Sequence, residues 1–238
     1  MIDVTEVARG IHRISMFDEQ DLVSAGIFWP GASYNLFLIA ADEPAIVNTM
    51  YRRSFVRLRE RVARIVDPAR LAYIVVPHHE GDSSGALNEW LRAAPEAVAL
   101  CSELCASLSL RDFSDREPHV VKDEQVVDLG SHRLRFFLTP QVNQWDSLIV
   151  YEETTRTLFS NDLFSSFGTE VTSNDRSAEA IGVLRQLGYQ PNDHAALLAA
   201  LDKIGSLDVA SVACMHGPTV TGNYDRLVLT FRDAVGMT

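Results

Sequence analysis

The chain has 238 residues, 47% of them hydrophobic, and its 32 acidic residues outnumber 21 basic ones for a formal net charge of −11. This length and hydrophobic content are enough for a buried core, and we expect one domain over residues 1–238. The acidic balance argues against nucleic-acid binding, which depends on clustered positive charge. The sequence shows neither an apolar run of about 18 residues nor a signal peptide, which predicts a cytoplasmic protein that does not enter a membrane.

The first half of the sequence alternates between strand-like and helix-like segments. The apolar, β-branched run at 72–76 is typical of a strand buried on both faces. Apolar residues recur every three or four positions through the arginine-rich stretch 55–65, which predicts an amphipathic helix. The remaining predictions for this half are strands at 11–15, 34–39, 45–48 and 97–99, and helices at 84–93 and 101–110.

The second half continues the same alternation. It predicts strands at 126–128, 134–138, 148–151, 157–159 and 209–214, and helices at 178–187, 194–204 and 224–235. Gly188 and Gly205 are expected to end the first two of these helices. Because hairpins occur beside crossovers, the predicted class is a layered α/β fold with mixed sheets.

One segment concentrates residues that can bind metals. His78, Glu80 and Asp82 follow the buried strand directly, and their alternate spacing can point three ligand atoms into one cavity. The same alternation points His79 away from them. Ser83 or Ser84 is expected to cap the next helix. Taken alone, this segment is equally consistent with a polar loop that leads into a capped helix.

Three later segments also follow predicted strands, at the ends where α/β sheets usually place their sites. They are residues 139–147, 158–162 and 215–218. Together with the His78 segment, they resemble the metal loops of the metallo-β-lactamase superfamily. The resemblance is to its flavodiiron and oxygen-binding diiron branch, which carries His-x-Glu-x-Asp-His where zinc hydrolases carry His-x-His-x-Asp-His. It implies an αββα sandwich of two mixed β-sheets flanked by helices.

Four further matches occur in the order of the family pattern. Gly31-Ala32-Ser33-Tyr34-Asn35 resembles the opening Gly-x-Ser-Tyr-Asn, Val47-Asn48-Thr49 resembles Ile-Asp-Thr, Leu158-Phe159-Ser160-Asn161-Asp162 resembles Leu-Phe-Ser-Gly-Asp, and His216-Gly217-Pro218 resembles the terminal His-Gly-Pro.

The sequence departs from this pattern at two expected histidine ligands. Ser83 stands where a histidine follows Asp82, and Asn143 replaces the histidine of Pro-x-x-His-Trp-Pro-Asp-Ser. The Asn143 amide oxygen could still coordinate weakly. What remains resembles two sites that share Asp162 as a bridge: His78, Glu80 and Asp162 for one metal, and Asp82, Asp162 and His216 for the other.

This ligand set predicts two metal ions. Three clustered carboxylates repel one another and raise their pKa values unless a cation compensates. Two imidazoles with three carboxylates favour iron, with manganese or zinc as alternatives. No glycine-rich phosphate loop is present, which argues against a nucleotide cofactor.

The resemblance implies a non-haem diiron protein, an oxidoreductase or oxygen-binding protein, that binds or reduces dioxygen or a similar small oxidant. The chain ends roughly 20 residues after His216, so we expect no appended flavodoxin domain and a flavoprotein electron donor in trans, with a homodimer as one arrangement. Two alternatives stay open. One is a metal-dependent hydrolase of an ester, lactone or thioester, with Asp82 orienting the metal-bound water. The other is a degenerate, metal-poor scaffold, which Ser83 and Asn143 favour.

Other residues receive simpler interpretations. Asp146 is expected to hydrogen-bond a residue of a metal loop. Cys101 and Cys105, four apart on a predicted helix, and Cys214 on a strand are interpreted as core packing. Trp145 and residues 28–30 either wall a pocket above the metals or belong to the core. No special role is expected for His12, His119, His132 and His194.

Overall fold

The computed structural model describes residues 2–17, 33–168, 170–186 and 194–236. Seven strands form the first sheet, in the spatial order β1-β2-β3-β4-β5-β6-β7. The first four are antiparallel neighbours, and β4 to β7 run parallel. Their bounds are β1 Ile2–Ala8, β2 Ile11–Phe17, β3 Ser33–Ile39, β4 Ala45–Val47, β5 Tyr73–Val75, β6 Val98–Cys101 and β7 His119–Val120.

The second sheet also has seven strands, in the order β12-β14-β13-β11-β10-β9-β8. It is mixed, because β11 runs parallel to β13 and β12 runs parallel to β14 among antiparallel neighbours. The bounds are β8 Val126–Asp128, β9 Arg133–Leu138, β10 Leu148–Glu152, β11 Thr157–Asn161, β12 Thr172–Ser173, β13 Ser211–Cys214 and β14 Thr219–Thr221.

Helices cover the outer faces of both sheets. No helix among the described residues is long and apolar enough to cross a membrane. The α-helices are Phe55–Val62, Gly81–Ser84, Leu87–Ala93, Glu103–Cys105, Arg111–Phe113, Ser177–Gln186, His194–Ile204 and Tyr224–Gly236, with 3₁₀ turns at Arg52–Ser54 and Pro68–Arg70 and a π-helical turn at Ala106–Leu110.

The core lies in three layers. Between the sheets, Phe37 of β3 meets Phe159 of β11, with their ring centroids 5.3 Å apart. On the outer face of the first sheet, Leu36 packs in the same buried cluster as Trp90, and Phe231 belongs to the cluster outside the second sheet. Because each sheet is covered on both faces, interior strands such as β4 and β10 are buried along their whole length. The predicted αββα sandwich is confirmed.

Most predicted elements are present, with differences at short or capped segments. The strands β1, β7, β12 and β14 were not predicted, since β1 is largely exposed and the other three have two or three residues. The helix predicted from Cys101 begins instead at Glu103, because Cys101 ends β6 and the Ser102 hydroxyl accepts a hydrogen bond from Cys105 N (3.1 Å) as the helix cap. Gly188 lies outside the described residues.

The cap predicted at Ser83 or Ser84 is wrong. Both serines lie inside the helix Gly81–Ser84, and neither side chain caps a helix end. The Ser84 hydroxyl donates to Glu80 O (2.9 Å), one turn back.

Candidate metal centre

The predicted metal loops meet at one edge of the sandwich, where strands of both sheets end. His78 follows β5, Asp162 follows β11 and His216 follows β13, while Asn143 lies in the connection between β9 and β10. Backbone hydrogen bonds tie these loops together: Leu148 N to Pro77 O (2.9 Å), Met215 N to Asn161 O (2.8 Å) and Asn35 N to Met215 O (3.0 Å). The two sheets therefore position the loops jointly.

One half of the cluster is built around His78, which is fully buried. Its Nε2 lies 3.1 Å from Glu80 Oε2 and 3.6 Å from Asp162 Oδ2. One ligand atom each from His78, Glu80 and Asp82 lies within 4.8 Å of the others. The strand-to-loop spacing thus brings these three side chains together, with Glu80 42% exposed at the solvent side.

The other half is built around His216. Its Nε2 lies 3.3 Å from Asp162 Oδ1 and 3.5 Å from Asp82 Oδ2. The two oxygens of Asp162 therefore face different histidines, as expected for a carboxylate shared between two sites.

Neighbouring groups orient both imidazoles. Nδ1 of His216 lies 2.9 Å from Ser33 O, which can only accept, so Nδ1 carries a proton and Nε2 faces the carboxylates. Nδ1 of His78 lies 2.5 Å from Asn161 Nδ2. Asn161 was not predicted to act here. It occupies the glycine position of the family pattern, and its φ of 56° is one that asparagine tolerates better than most residues.

The histidines and carboxylates of the cluster shift one another's pKa values. Burial opposes charge on both histidines, but the hydrogen bond with Glu80 and the charge of Asp162 raise the pKa of His78 to about 9. Burial likewise opposes charge on His216, while the contacts with Asp162 and Asp82 raise its pKa to about 9. Burial raises the pKa of Asp82 to about 6. Without a cation, the cluster is therefore held together by protonated histidines.

Asp162 responds in the opposite direction. Burial alone would raise its pKa, but the contact with His216, the charge of His78 and the amide of Asn143 together lower it. Asp162 therefore remains ionised more readily than Asp82, whose pKa is raised.

Ser83, at the first replaced histidine, faces away from the carboxylates. Its hydroxyl donates to Asn48 Oδ1 (2.8 Å), and Asn48 Nδ2 donates to Asn35 O (3.2 Å). Both Ser83 and Asn48 are buried. Ser83 is therefore paired with Asn48, which stands where the family's Ile-Asp-Thr has an aspartate, in a hydrogen bond beside the cluster.

Asn143, at the second replaced histidine, does reach the cluster. Its Nδ2 donates to Asp162 Oδ2 (2.5 Å). The next residue, Gln144, donates from Nε2 to Glu80 Oε2 (3.0 Å). Gln144 was not singled out from the sequence, which holds no motif for it. These two amides orient two of the three carboxylates.

The predictions for His79 and Asp146 agree with the structure, and that for the cysteines agrees in part. His79 points away from the cluster, with its ring 5.7 Å from that of Phe113, and its backbone N donates to Asp146 Oδ2 (2.8 Å). Cys101 and Cys105 are buried, as is Cys214, but Cys101 lies on a strand and so shares no helix face with Cys105.

Two interpretations from the sequence need comment. His132, expected to have no special role, forms a buried contact with Glu152, Nδ1 to Oε1 3.1 Å, at the opposite end of β9 and β10 from the cluster. Trp145 is half-buried, while residues 28–30, its proposed companions, lie outside the described residues.

Two mixed sheets between helices, with histidines and carboxylates at the ends of their strands, are the arrangement of the metallo-β-lactamase superfamily, and the relatives of this chain are named as members of its flavodiiron branch. The chain belongs to the family described as ODP family beta lactamase, whose family model matches residues 32–217.

Named relatives and solved structures agree with this assignment. Diflavin flavoprotein A 1 of Synechocystis sp. is 27% identical over 212 residues, which are 85% of this chain and 36% of that protein. The flavo-diiron protein FprA2 of Clostridium acetobutylicum is 24% identical over 202 residues, 80% of this chain and 50% of that protein. The chain spans about a third of the length of the first curated relatives it matches.

The fold is similar to that of rubredoxin oxygen:oxidoreductase from Desulfovibrio gigas, with a TM-score of 0.84 and 20% identity, covering 98% of this chain and 62% of that one. It is also similar to the metal-soaked Flv1 flavodiiron core from Synechocystis sp., with a TM-score of 0.82 and 23% identity, covering 99% and 61%.

Proposed function

We propose that this protein is a non-haem dinuclear metalloprotein, with iron at both positions, that binds or reduces dioxygen or a similar small oxidant. The observation that carries the proposal is the placement of Asp162, whose two oxygens face His78 on one side and His216 on the other. The names of the relatives, flavo-diiron and diflavin proteins, support the same class of chemistry.

The donor atoms suit cations. Asp82 and Asp162 are both more than nine-tenths buried, and Asp82 Oδ1 accepts no hydrogen bond from the described residues. A buried carboxylate oxygen without a partner is costly unless a cation neutralises it. The oxygen-rich set of three carboxylates and two imidazoles favours iron or manganese over zinc.

In this proposal, His78, Glu80 and Asp162 would hold the first ion. Asp82, His216 and Asp162 would hold the second. When bound, a pair of ferrous ions supplies electrons for the reduction of a small oxidant. Glu80, the one partly exposed carboxylate of the set, lines the approach from solvent.

The protein also sets the tautomers that such binding needs. The Ser33 carbonyl keeps the proton of His216 on Nδ1. For His78 to bind through Nε2, Nδ1 must carry the proton and needs an acceptor. The Asn161 amide supplies this acceptor when its oxygen and nitrogen exchange places by rotation of the amide group. Asn161 Oδ1 is buried and has no partner among the described residues.

The test is anaerobic loading with ferrous ions followed by metal analysis and exposure to oxygen. We expect about two irons per chain, as the two half-sites require, and an oxygen-dependent change in absorbance. Turnover also needs an electron donor, which we propose to be a flavoprotein acting in trans. Zinc uptake together with ester hydrolysis would support the alternative of a metal-dependent hydrolase. A chain that takes up no metal would support the alternative of a metal-poor scaffold.

Metal uptake should depend steeply on pH. His78 and His216, with pKa values raised to about 9, hold protons at neutral pH in the metal-free protein, and a bound cation displaces both. The apparent affinity should therefore fall as the pH falls below 9, by about 100-fold per pH unit for two displaced protons. Titration calorimetry in buffers of different ionisation enthalpy counts these protons. Heats that do not depend on the buffer would contradict the prediction.

A further inference from the structure

Arginines crowd one short stretch of this acidic chain. Residues 52–70, which include the helix Phe55–Val62, contain seven arginines and two acidic residues, for a net charge of +5. The rest of the chain carries −16. The seven are Arg52, Arg53, Arg57, Arg59, Arg61, Arg64 and Arg70.

Much of this charge is available to a partner. Arg57, Arg59 and Arg64 are exposed and form no ion pair with any of the described residues. Val56 lies among them with 65% of its surface exposed, beside Glu60, the acidic residue of the helix. We call Val56, Arg57, Arg59 and Arg64 the arginine face. Exposed positive charge of this kind steers the encounter with a partner of opposite charge.

Aromatic rings connect Arg53, in the turn just before the helix Phe55–Val62, to the candidate metal centre. The Arg53 guanidinium lies 4.8 Å from the ring centroid of Tyr51, which packs against Gly81 of the ligand loop. The rings of Tyr51 and Tyr34 are 5.5 Å apart, and those of Tyr34 and His216 are 5.0 Å apart. Short contacts therefore run from the start of the arginine-rich stretch to a candidate ligand.

We propose that the arginine face is the docking surface for an acidic electron-donor protein, and that Tyr51 and Tyr34 carry its electrons towards His216. This inference rests on the proposed function. Opposite charge steers an acidic donor to this face, while the negative charge of the remaining surface repels it elsewhere. The partner is therefore drawn to the arginine-rich stretch, at whose start Arg53 and Tyr51 begin the aromatic path.

The electron balance is simple. A flavin hydroquinone in the donor gives up two electrons and two protons in two successive one-electron steps. Two ferric ions in the cluster each accept one electron and become ferrous, and the protons pass to solvent.

The probe is a flavodoxin, an acidic flavoprotein, in its hydroquinone form, mixed in a stopped-flow instrument with the full chain loaded with iron and oxidised. Compared with the unmodified chain, the variant Arg57→Glu/Arg59→Glu/Arg64→Glu should lower the second-order rate about tenfold or more at low ionic strength, with a weaker salt dependence. The control Arg9→Glu/Arg133→Glu/Arg226→Glu makes the same change in net charge elsewhere on the surface and should retain most of the rate.

Dithionite separates docking from the metal centre, because it needs no docking surface and should reduce both variants at the rate of the unmodified chain. Equal loss in the two variants, or a rate independent of salt, would overturn the docking proposal. So would a variant that loses binding of single-stranded DNA or anionic vesicles while keeping its rate with flavodoxin. A chain that dithionite cannot reduce would overturn the proposed function, and this inference with it.

The aromatic path has its own matched pair. Tyr51→Phe keeps the ring and should keep the limiting rate at saturating flavodoxin. Tyr51→Leu removes the ring and should lower that rate while its salt dependence stays the same, since the arginine face is unchanged. Equal limiting rates in the two variants would remove Tyr51 from the path.

Discussion

Asp162→Ala should empty both metal positions at once. One carboxylate serves both halves of the cluster, with Oδ2 at 3.6 Å from His78 Nε2 and Oδ1 at 3.3 Å from His216 Nε2. Loss of groups outside the ligand shell commonly costs about 10–100-fold in metal affinity, so loss of a shared ligand should cost more than about 100-fold at each position. The iron content of the ferrous-loaded protein, measured by mass spectrometry, should fall from about two irons per chain to nearly none, because both half-sites lose a ligand.

The control for this variant is Asp128→Ala. Asp128 is exposed and accepts a hydrogen bond from Gly130 N (2.8 Å) in a turn far along the chain from the ligands. It should load iron like the unmodified chain. If Asp162→Ala lost only one of two irons, the shared role of Asp162 would be wrong.

Asn143→His should raise metal affinity about tenfold or more, because an imidazole replaces a neutral amide as a potential ligand. The loop already reaches the cluster, since Asn143 Nδ2 lies 2.5 Å from Asp162 Oδ2. The backbone can accept the change, because Asn143 has a φ of 70° and histidine is among the residues enriched in that region. Competition with a metal-binding dye measures the effect.

Asn223→His is the matched control, since Asn223 also has a positive φ, 52°, but is exposed and away from the ligands. It should leave the affinity unchanged. An unchanged affinity in Asn143→His would mean that the new imidazole cannot turn towards the cations.

Much of the fold could be predicted from the sequence because the central strands are buried on both faces. Runs such as 72–76 and 148–151 have no polar interruption, and each became a central strand. The edge strands were harder. β7 and β12 have two residues each, and their existence depends on pairing with β6 and β14 rather than on any local pattern.

The candidate site was predictable where ligands follow strands at fixed spacing, as with His78, Glu80 and Asp82. Groups that act through tertiary contact were not. Gln144 carries no motif, and Asn161 stands at a position where the family pattern has glycine. Their contacts with Glu80 and His78 arise only when the loops after β9 and β11 come together with that after β5. Loop packing of this kind is set by the whole sandwich, so local sequence does not encode it.

The hydrogen bond between Ser83 and Asn48 has an evolutionary consequence. Because both side chains are buried, an apolar residue at either position leaves the other with an unpaired polar atom, at a cost of about 1–3 kcal/mol. A return to histidine at Ser83 must also fit a larger ring into a packed interior. A histidine at position 83 must therefore both fit this interior and donate to Asn48 Oδ1 in place of the serine hydroxyl. The half-buried Asn143 faces no such barrier, which makes the loss at that position the easier one to reverse.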